Sequence, residues 1–177
     1  MKAKRNIFIS HASADVLLAN QLKKWIEHGF NSVNAFVASH WGDVPAGSLW
    51  ERKIQRALKG ADAVVTLVTE RSLNRHWIWF ELGASWMAGR KVIPLCFEDI
   101  SYDRMGPLLG AYQHIRIDGP AAVRKLVAAL RPALGAYKGP DFKTTYAMFN
   151  DACTNARWIS ISGRPWERVR FKVTVQV

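Results

Sequence analysis

From Asn6 to Leu134 short apolar runs alternate with segments whose apolar positions recur at helical spacing. That alternation is the pattern of a parallel sheet covered by helices on both faces. Five runs read as strands: Asn6 to Ser10, Asn34 to Ala38, Ala63 to Val68, Val92 to Phe97 and His114 to Ile117. The third is interrupted only by Thr66, as expected of a central strand buried on both sides. Pro94 in the fourth has no N–H for a ladder bond and points to an edge or a bulge. Between the strands, Leu18, Leu22, Trp25 and Ile26 form one helical stripe that Ser13 caps and Gly29 ends. Ser48 and Glu51 read as a capping box for a helix facing inward through Trp50, Ile54 and Leu58, which Gly60 stops. A third helix is expected from about Arg75 to Ala88. Asp118-Gly119-Pro120 opens another, with Val123, Leu126, Val127, Leu130 and Leu134 on its apolar side. The predicted fold class is α/β, a flavodoxin-like three-layer sandwich with a central five-stranded parallel sheet.

Beyond Gly135 the texture changes. Tyr137-Lys138-Gly139-Pro140 reads as a linker and Thr144 to Trp158 as a weak helix, while Glu167 to Val177 alternates Val169, Phe171, Val173, Val175 and Val177 with polar residues. The expected organisation is one domain over 1–135 and a C-terminal extension over 136–177. A strand with one apolar face seeks a partner, so the extension either adds to the sheet edge or begins a further domain.

Composition narrows the classes. A chain of 177 residues with 49% hydrophobic content closes one core. No apolar run approaches the ~20 residues needed to cross a bilayer, and Met1 to Asn6 leads straight into a strand instead of a signal sequence. The expected location is cytoplasmic, without membrane association. Cys96 and Cys153 offer neither a disulfide framework nor a CxxC motif and read as buried thiols. A formal charge of +11 attracts anions of any kind. Much of it lies early, at Lys2, Lys4 and Arg5, and late, at Arg157, Arg164, Arg168, Arg170 and Lys172. Solvated termini account for these as well as a nucleic-acid surface does, and nucleic acid is not an expected partner. His11, His28, His40, His76 and His114 show no ligand spacing, so no metal is expected. Neither GxGxxG nor GxxxxGK[ST] is present, and no bound cofactor is expected.

Three local sequences carry a family resemblance. Ile7-Phe8-Ile9-Ser10-His11-Ala12-Ser13-Ala14-Asp15 resembles the opening box of bacterial-type TIR domains. Gly42-Asp43-Val44-Pro45-Ala46-Gly47-Ser48-Leu49-Trp50 is similar to their BB loop. Trp77-Ile78-Trp79-Phe80-Glu81-Leu82-Gly83-Ala84 resembles the third-helix motif of TIR NADases, in which a Trp precedes the catalytic Glu by four positions. Plant-type members commonly place Cys directly after that Trp, where this chain has Ile78. The resemblance implies that NAD+ is the substrate and Glu81 the catalytic carboxylate. It implies substrate contacts at Ser10, His11, Ala12, Asp43, Trp50 and Trp77. It further implies homo-oligomers through TIR–TIR contacts on activation, and a role in bacterial antiviral defence or signalling.

The chemistry is consistent with one carboxylate. Nicotinamide joined to ribose is already a cationic leaving group and needs no general acid. What the reaction needs is a fixed anion, in a dry pocket, facing the positive charge that develops on the ribose. By helix pattern alone Glu81 reads more readily as a solvated or salt-bridged residue and Trp77 as core; the resemblance reverses that preference. Ser13 reads first as a helix cap and Trp50 first as part of an apolar face. In a parallel sheet, ligands bind beyond the carboxyl ends of the strands, here the loops starting at Ser10, Ser39 and Thr69. Three other readings compete. A non-catalytic adaptor shares the fold. A phosphoacceptor receiver needs an acidic pair after the first strand and an Asp ending the third, where this chain has Ser10-His11 and Thr69-Glu70. A nucleoside deoxyribosyltransferase also uses a Glu on a ribosyl carbon.

Overall fold

The five runs form strands β1 (Arg5–Ser10), β2 (Val33–Val37), β3 (Ala63–Val68), β4 (Lys91–Cys96) and β5 (Ile115–Arg116). They pair as one all-parallel sheet in the order β2-β1-β3-β4-β5. The structure, a computed structural model, describes residues 4–37, 50–73, 75–97, 100, 102–105, 109 and 112–162. The helices are α1 (Val16–Gly29), α2 (Trp50–Gly60), α3 (Glu70–Leu73), α4 (His76–Met87), α5 (Pro120–Leu134) and α6 (Phe142–Ser162). The fold is flavodoxin-like α/β, as the alternation of runs predicts.

Period-two alternation sorts the strand residues between two cores. Ile7, Ile9, Ala63, Val65, Leu67, Ile93 and Leu95 face the side of α1, α5 and α6, where they meet Leu22, Trp25, Leu126, Leu130 and Phe149. Phe8, Val64, Val68, Val92 and Cys96 face the other side, with Ile54 and Leu58 of α2 and Leu82 of α4. Three layers result because each apolar face has a helical cover. Pro94 lies in an interior strand and still breaks no ladder. Phe97 N–H donates to Val68 O on the β3 side, so alternation turns the Pro94 nitrogen toward β5. There β5 pairs only with Leu95 and Cys96, and Pro94 occupies a local edge.

The free edge of β2 is closed by side chains. Lys23 and Glu27, one turn apart on α1, form an ion pair at 2.8 Å. Glu27 accepts the Ala35 N–H at 2.9 Å, and Lys23 donates to the Ala35 carbonyl. The outward N–H and C=O of Ala35, which could recruit another strand, are thereby occupied. Part of the basic excess is used in a similar way. Arg5 donates to Ala133 O and Lys91 to Ala129 O, both late in α5, and Arg90 donates to Lys59 O near the end of α2. Arg5 and Arg90 thereby meet last-turn carbonyls, where a cation also suits the helix dipole.

Several local expectations are corrected. Ser13 caps no helix: a short turn over Ser13–Asp15 precedes α1, closed by Asp15 N–H to Ala12 O, and no side chain caps either start. The segment 137–140 does not run free. Tyr137 bridges Phe30, its hydroxyl accepts from Trp25 Nε1 at 2.8 Å, and its ring lies 5.4 Å from that indole and 5.2 Å from Phe30. Gly29 and Gly139 make this possible, because a Cβ on either would come within 2.4 or 2.5 Å of the Tyr137 side chain. The last helix is longer than its composition suggests. It begins at Phe142 because the Asp141 carboxylate accepts the N–H groups of Lys143 and Thr144 at 2.9 and 3.0 Å. Its Phe149 and Cys153 enter the core beside α1. The strand expected over 167–177 lies outside the described residues, as do Ser39, His40, Asp43 and Ser48.

Burial alone would raise the Glu27 carboxyl, but the Lys23 bond, the Ala35 N–H and the charges of Lys23 and Lys4 together hold it below its ordinary 4.5. Its contribution to stability is therefore complete above that ordinary value and disappears as pH falls through the lower folded value. Glu27→Gln is expected to be less stable than wild type at neutral pH, with the gap closing in acid. Urea unfolding across that range reads the difference, and a constant gap would contradict the assignment.

Candidate active site

Strand order reverses between β1 and β3, and in doubly wound sheets such a switch point opens a crevice beyond the strands' carboxyl ends. The residues there are Ser10, which ends β1, and Thr69, which follows β3. Helix α4 lies against this part of the sheet. Its buried stripe is Ile78, Glu81, Leu82 and Ser85, spaced by three and four positions, so one ionisable residue faces inward among apolar neighbours. Glu81 is 1% exposed, and Ser10 Oγ donates to its Oε2 at 2.5 Å, a short bond between two buried groups. Ser85 Oγ donates to the Glu81 backbone carbonyl at 2.7 Å. Trp79 Nε1 donates to Leu73 O at 3.3 Å and ties α4 to α3.

The other sequence-predicted site residues are placed as follows. His11 and Ala12 continue from Ser10 into the loop and are buried, with His11 Nδ1 3.4 Å from Ile9 O. Trp77 lies in the first turn of α4, four residues before Glu81, and Trp50 begins α2; their side chains, like Asp43, lie outside the described residues. Ser10, His11, Ala12 and Glu81 are thus brought together around the end of β1.

A second polar cluster beside them is not apparent from the sequence alone. Asp15, fully buried, accepts from Thr69 Oγ1 at 2.7 Å and from Arg71 Nε at 2.6 Å. It ties the loop after β1 to the loop after β3 and so spans the switch point. Thr69 and Ser72 exchange bonds reciprocally: Thr69 N–H to Ser72 Oγ at 2.9 Å, and Ser72 N–H to Thr69 Oγ1 at 3.2 Å. This is a capping-box arrangement that starts the short α3. The spacing Thr69-x-x-Ser72 carries that signal, whereas the opening box that ends at Asp15 does not reveal its partners, which are more than fifty positions away. Glu70 pairs with Arg104 at 2.6 and 2.7 Å in an exposed fork that adds little stability. Among the described residues, no group of three or more His, Cys, Asp or Glu is arranged to hold a metal ion. No helix among them is long and apolar enough to cross a membrane.

Residues 7–128 match a family model described as TIR domain, which is more than half of the chain. No curated protein matches the sequence. The chain is similar in fold to a 2-desoxiribosyltransferase from Leishmania mexicana, at 12% identity and a TM-score of 0.43. That match covers 52% of this chain and 64% of the transferase, so the chain spans less than two thirds of it. It is also similar to the TIR domains of the activated Roq1 resistosome, at 12% identity and a TM-score of 0.41, covering 88% of this chain and 85% of the other. A diflavin flavoprotein A3 from Nostoc sp. matches at 14% identity and a TM-score of 0.39, covering 92% and 100%.

Two outcomes follow from this geometry. Arg71→Met strips the buried Asp15 of its cation, and unfolding stability is expected to fall by about 3 kcal/mol; a loss under ~1 kcal/mol would mean that the pair is not the tie described. Burial pushes the Cys96 thiol up to about 11 despite the Arg116 charge, from an ordinary 9.0. Its thiolate is then roughly a hundredfold scarcer than in an unfolded chain. Alkylation of native Cys96 by iodoacetamide, followed by mass spectrometry, is expected to be slower by at least that factor, and equal rates in native and denatured protein would refute the assignment.

Proposed function

Because the chain belongs to the TIR domain family, we propose that it cleaves the bond between nicotinamide and ribose in NAD+, with Glu81 as the catalytic carboxylate. The observation that carries this reading is a carboxylate 1% exposed, held by Ser10 at the point where strand order reverses. Nicotinamide leaves as a neutral ring, taking the electron pair of the C–N bond, and positive charge appears on the ribose. An anion fixed in a water-poor site stabilises that charge far more than an anion in bulk water, and it needs no reorganisation at the moment of bond cleavage. Water then adds to the anomeric carbon, giving ADP-ribose and releasing a proton. In a cyclase, a nucleophile of the same molecule takes water's place.

The phosphates fit the loop after β1. His11 and Ala12 lie just ahead of α1, and the amino end of a helix favours anions. Asp43, Trp50 and Trp77 are proposed as further substrate contacts from their places in the family motifs. Self-association through TIR–TIR contacts and a role in bacterial antiphage defence or signalling belong to the same proposal.

One observation favours a second reading. Phe80, Trp86 and Met87 are exposed at 51%, 61% and 78% on α4, an apolar surface suited to assembly. A TIR adaptor that uses this surface without turnover leaves NAD+ intact even when clustered. The test is incubation of concentrated protein with NAD+ and chromatographic analysis of products. Wild type is expected to release nicotinamide, while Glu81→Gln and Glu81→Ala fold normally and lose at least about 10²-fold in rate. Variants that retain most of the rate would remove Glu81 from the mechanism.

A further inference from the structure

Two hydroxyls stand side by side on the sheet face under α4, and the structure treats them differently. Ser10 and Thr66 are register partners on adjacent strands. By alternation both lie on the sheet face of Phe8, Val64 and Val68, under α4, and both are buried. Ser10 Oγ donates to Glu81 Oε2 at 2.5 Å, whereas Thr66 Oγ1 has no hydrogen-bond partner among the described residues. Ser85, one turn along α4, directs its hydroxyl to the Glu81 backbone carbonyl and so acts on the helix instead of the carboxylate.

We infer that Ser10 is the positioning residue of Glu81, fixing the carboxylate at the switch point so that its charge is in place before substrate arrives. The inference rests on the NAD+-cleavage reading and deepens it, giving Ser10 a role exerted through Glu81 in place of direct substrate contact. A serine hydroxyl has a single proton, and one directed to Oε2 is not offered to a phosphate. A glutamate has three side-chain torsions, the last of them broad, and a donor gripping one oxygen removes that freedom. The anchor is itself held firmly: Ser10 is the last residue of β1, the strand flanked on both sides by β2 and β3. Because the benefit is realised as charge develops on the ribose, its loss falls on kcat and leaves KM largely unmoved.

The test compares full-length variants in NAD+ turnover, with thermal unfolding measured alongside. Ser10→Ala is expected to lower kcat by roughly 10- to 100-fold, with KM within about twofold of wild type. Ser10→Thr, which keeps the hydroxyl, is expected to restore most of the rate. Thr66→Val removes the adjacent hydroxyl and is expected to keep the wild-type rate. Full activity of Ser10→Ala beside an inactive Glu81→Gln overturns this inference alone. So does a rise in KM at constant kcat, which returns Ser10 to the substrate contacts, or an equal loss in Thr66→Val, which assigns the effect to packing. A wild type inert toward NAD+ removes the enzymatic reading and this role with it.

Discussion

A parallel sheet with helices on both faces leaves little water beneath its covers, so a charged or polar group carried inside gains most from a partner found there. The Ser10–Glu81 bond is the answer at the place where this constraint is most severe. Glu81 belongs to the inward stripe of α4 with Ile78, Leu82 and Ser85, all of them buried. The reversal of strand order supplies the setting. It puts the end of β1 beside β3, under α4, and lets Asp15 reach both Thr69 and Arg71 across the same gap. One carboxylate is held from below while the loops that frame it are bound to each other by a second.

The rest of the molecule protects that arrangement at its margins. The outer strand β2 has its exposed N–H and C=O at Ala35 taken by Glu27 and Lys23. The helix ends at the far pole are closed by Arg5, Arg90 and Lys91. A net charge of +11 suggests a polyanion partner at first sight. Arg5, Lys23, Arg90 and Lys91 instead donate to backbone carbonyls, an internal use that composition does not reveal.

How much of this is legible in the sequence depends on the range of the interaction concerned. The five strands and the helices of the sandwich follow from periodicity, because burial on a face repeats every two or 3.6 residues and leaves a local trace. The motifs single out Glu81 and Ser10 as candidates, while the bond between them, seventy-one positions apart, has no local trace. Asp15 was not, since an aspartate in a loop looks the same whether it faces water or an arginine more than fifty positions away. Tyr137 was misread for the same reason: a Tyr-Lys-Gly-Pro stretch has the composition of a linker, and only the cavity left by Gly29 and Gly139 turns it inward. Thr66 left a trace without a meaning, a single hydroxyl in an apolar run whose isolation appears only once its neighbours are known.

The cluster around Tyr137 bears on where this unit can be cut. Similarity to the family ends at residue 128, yet Trp25 shares its indole proton with Tyr137 and Thr145, and its ring meets Phe149 edge-on at 5.4 Å. A boundary drawn where recognisable ancestry stops therefore runs through the middle of a greasy socket. A fragment trimmed at that line would carry its first helix with one flank bare and prone to stick to whatever apolar surface it met.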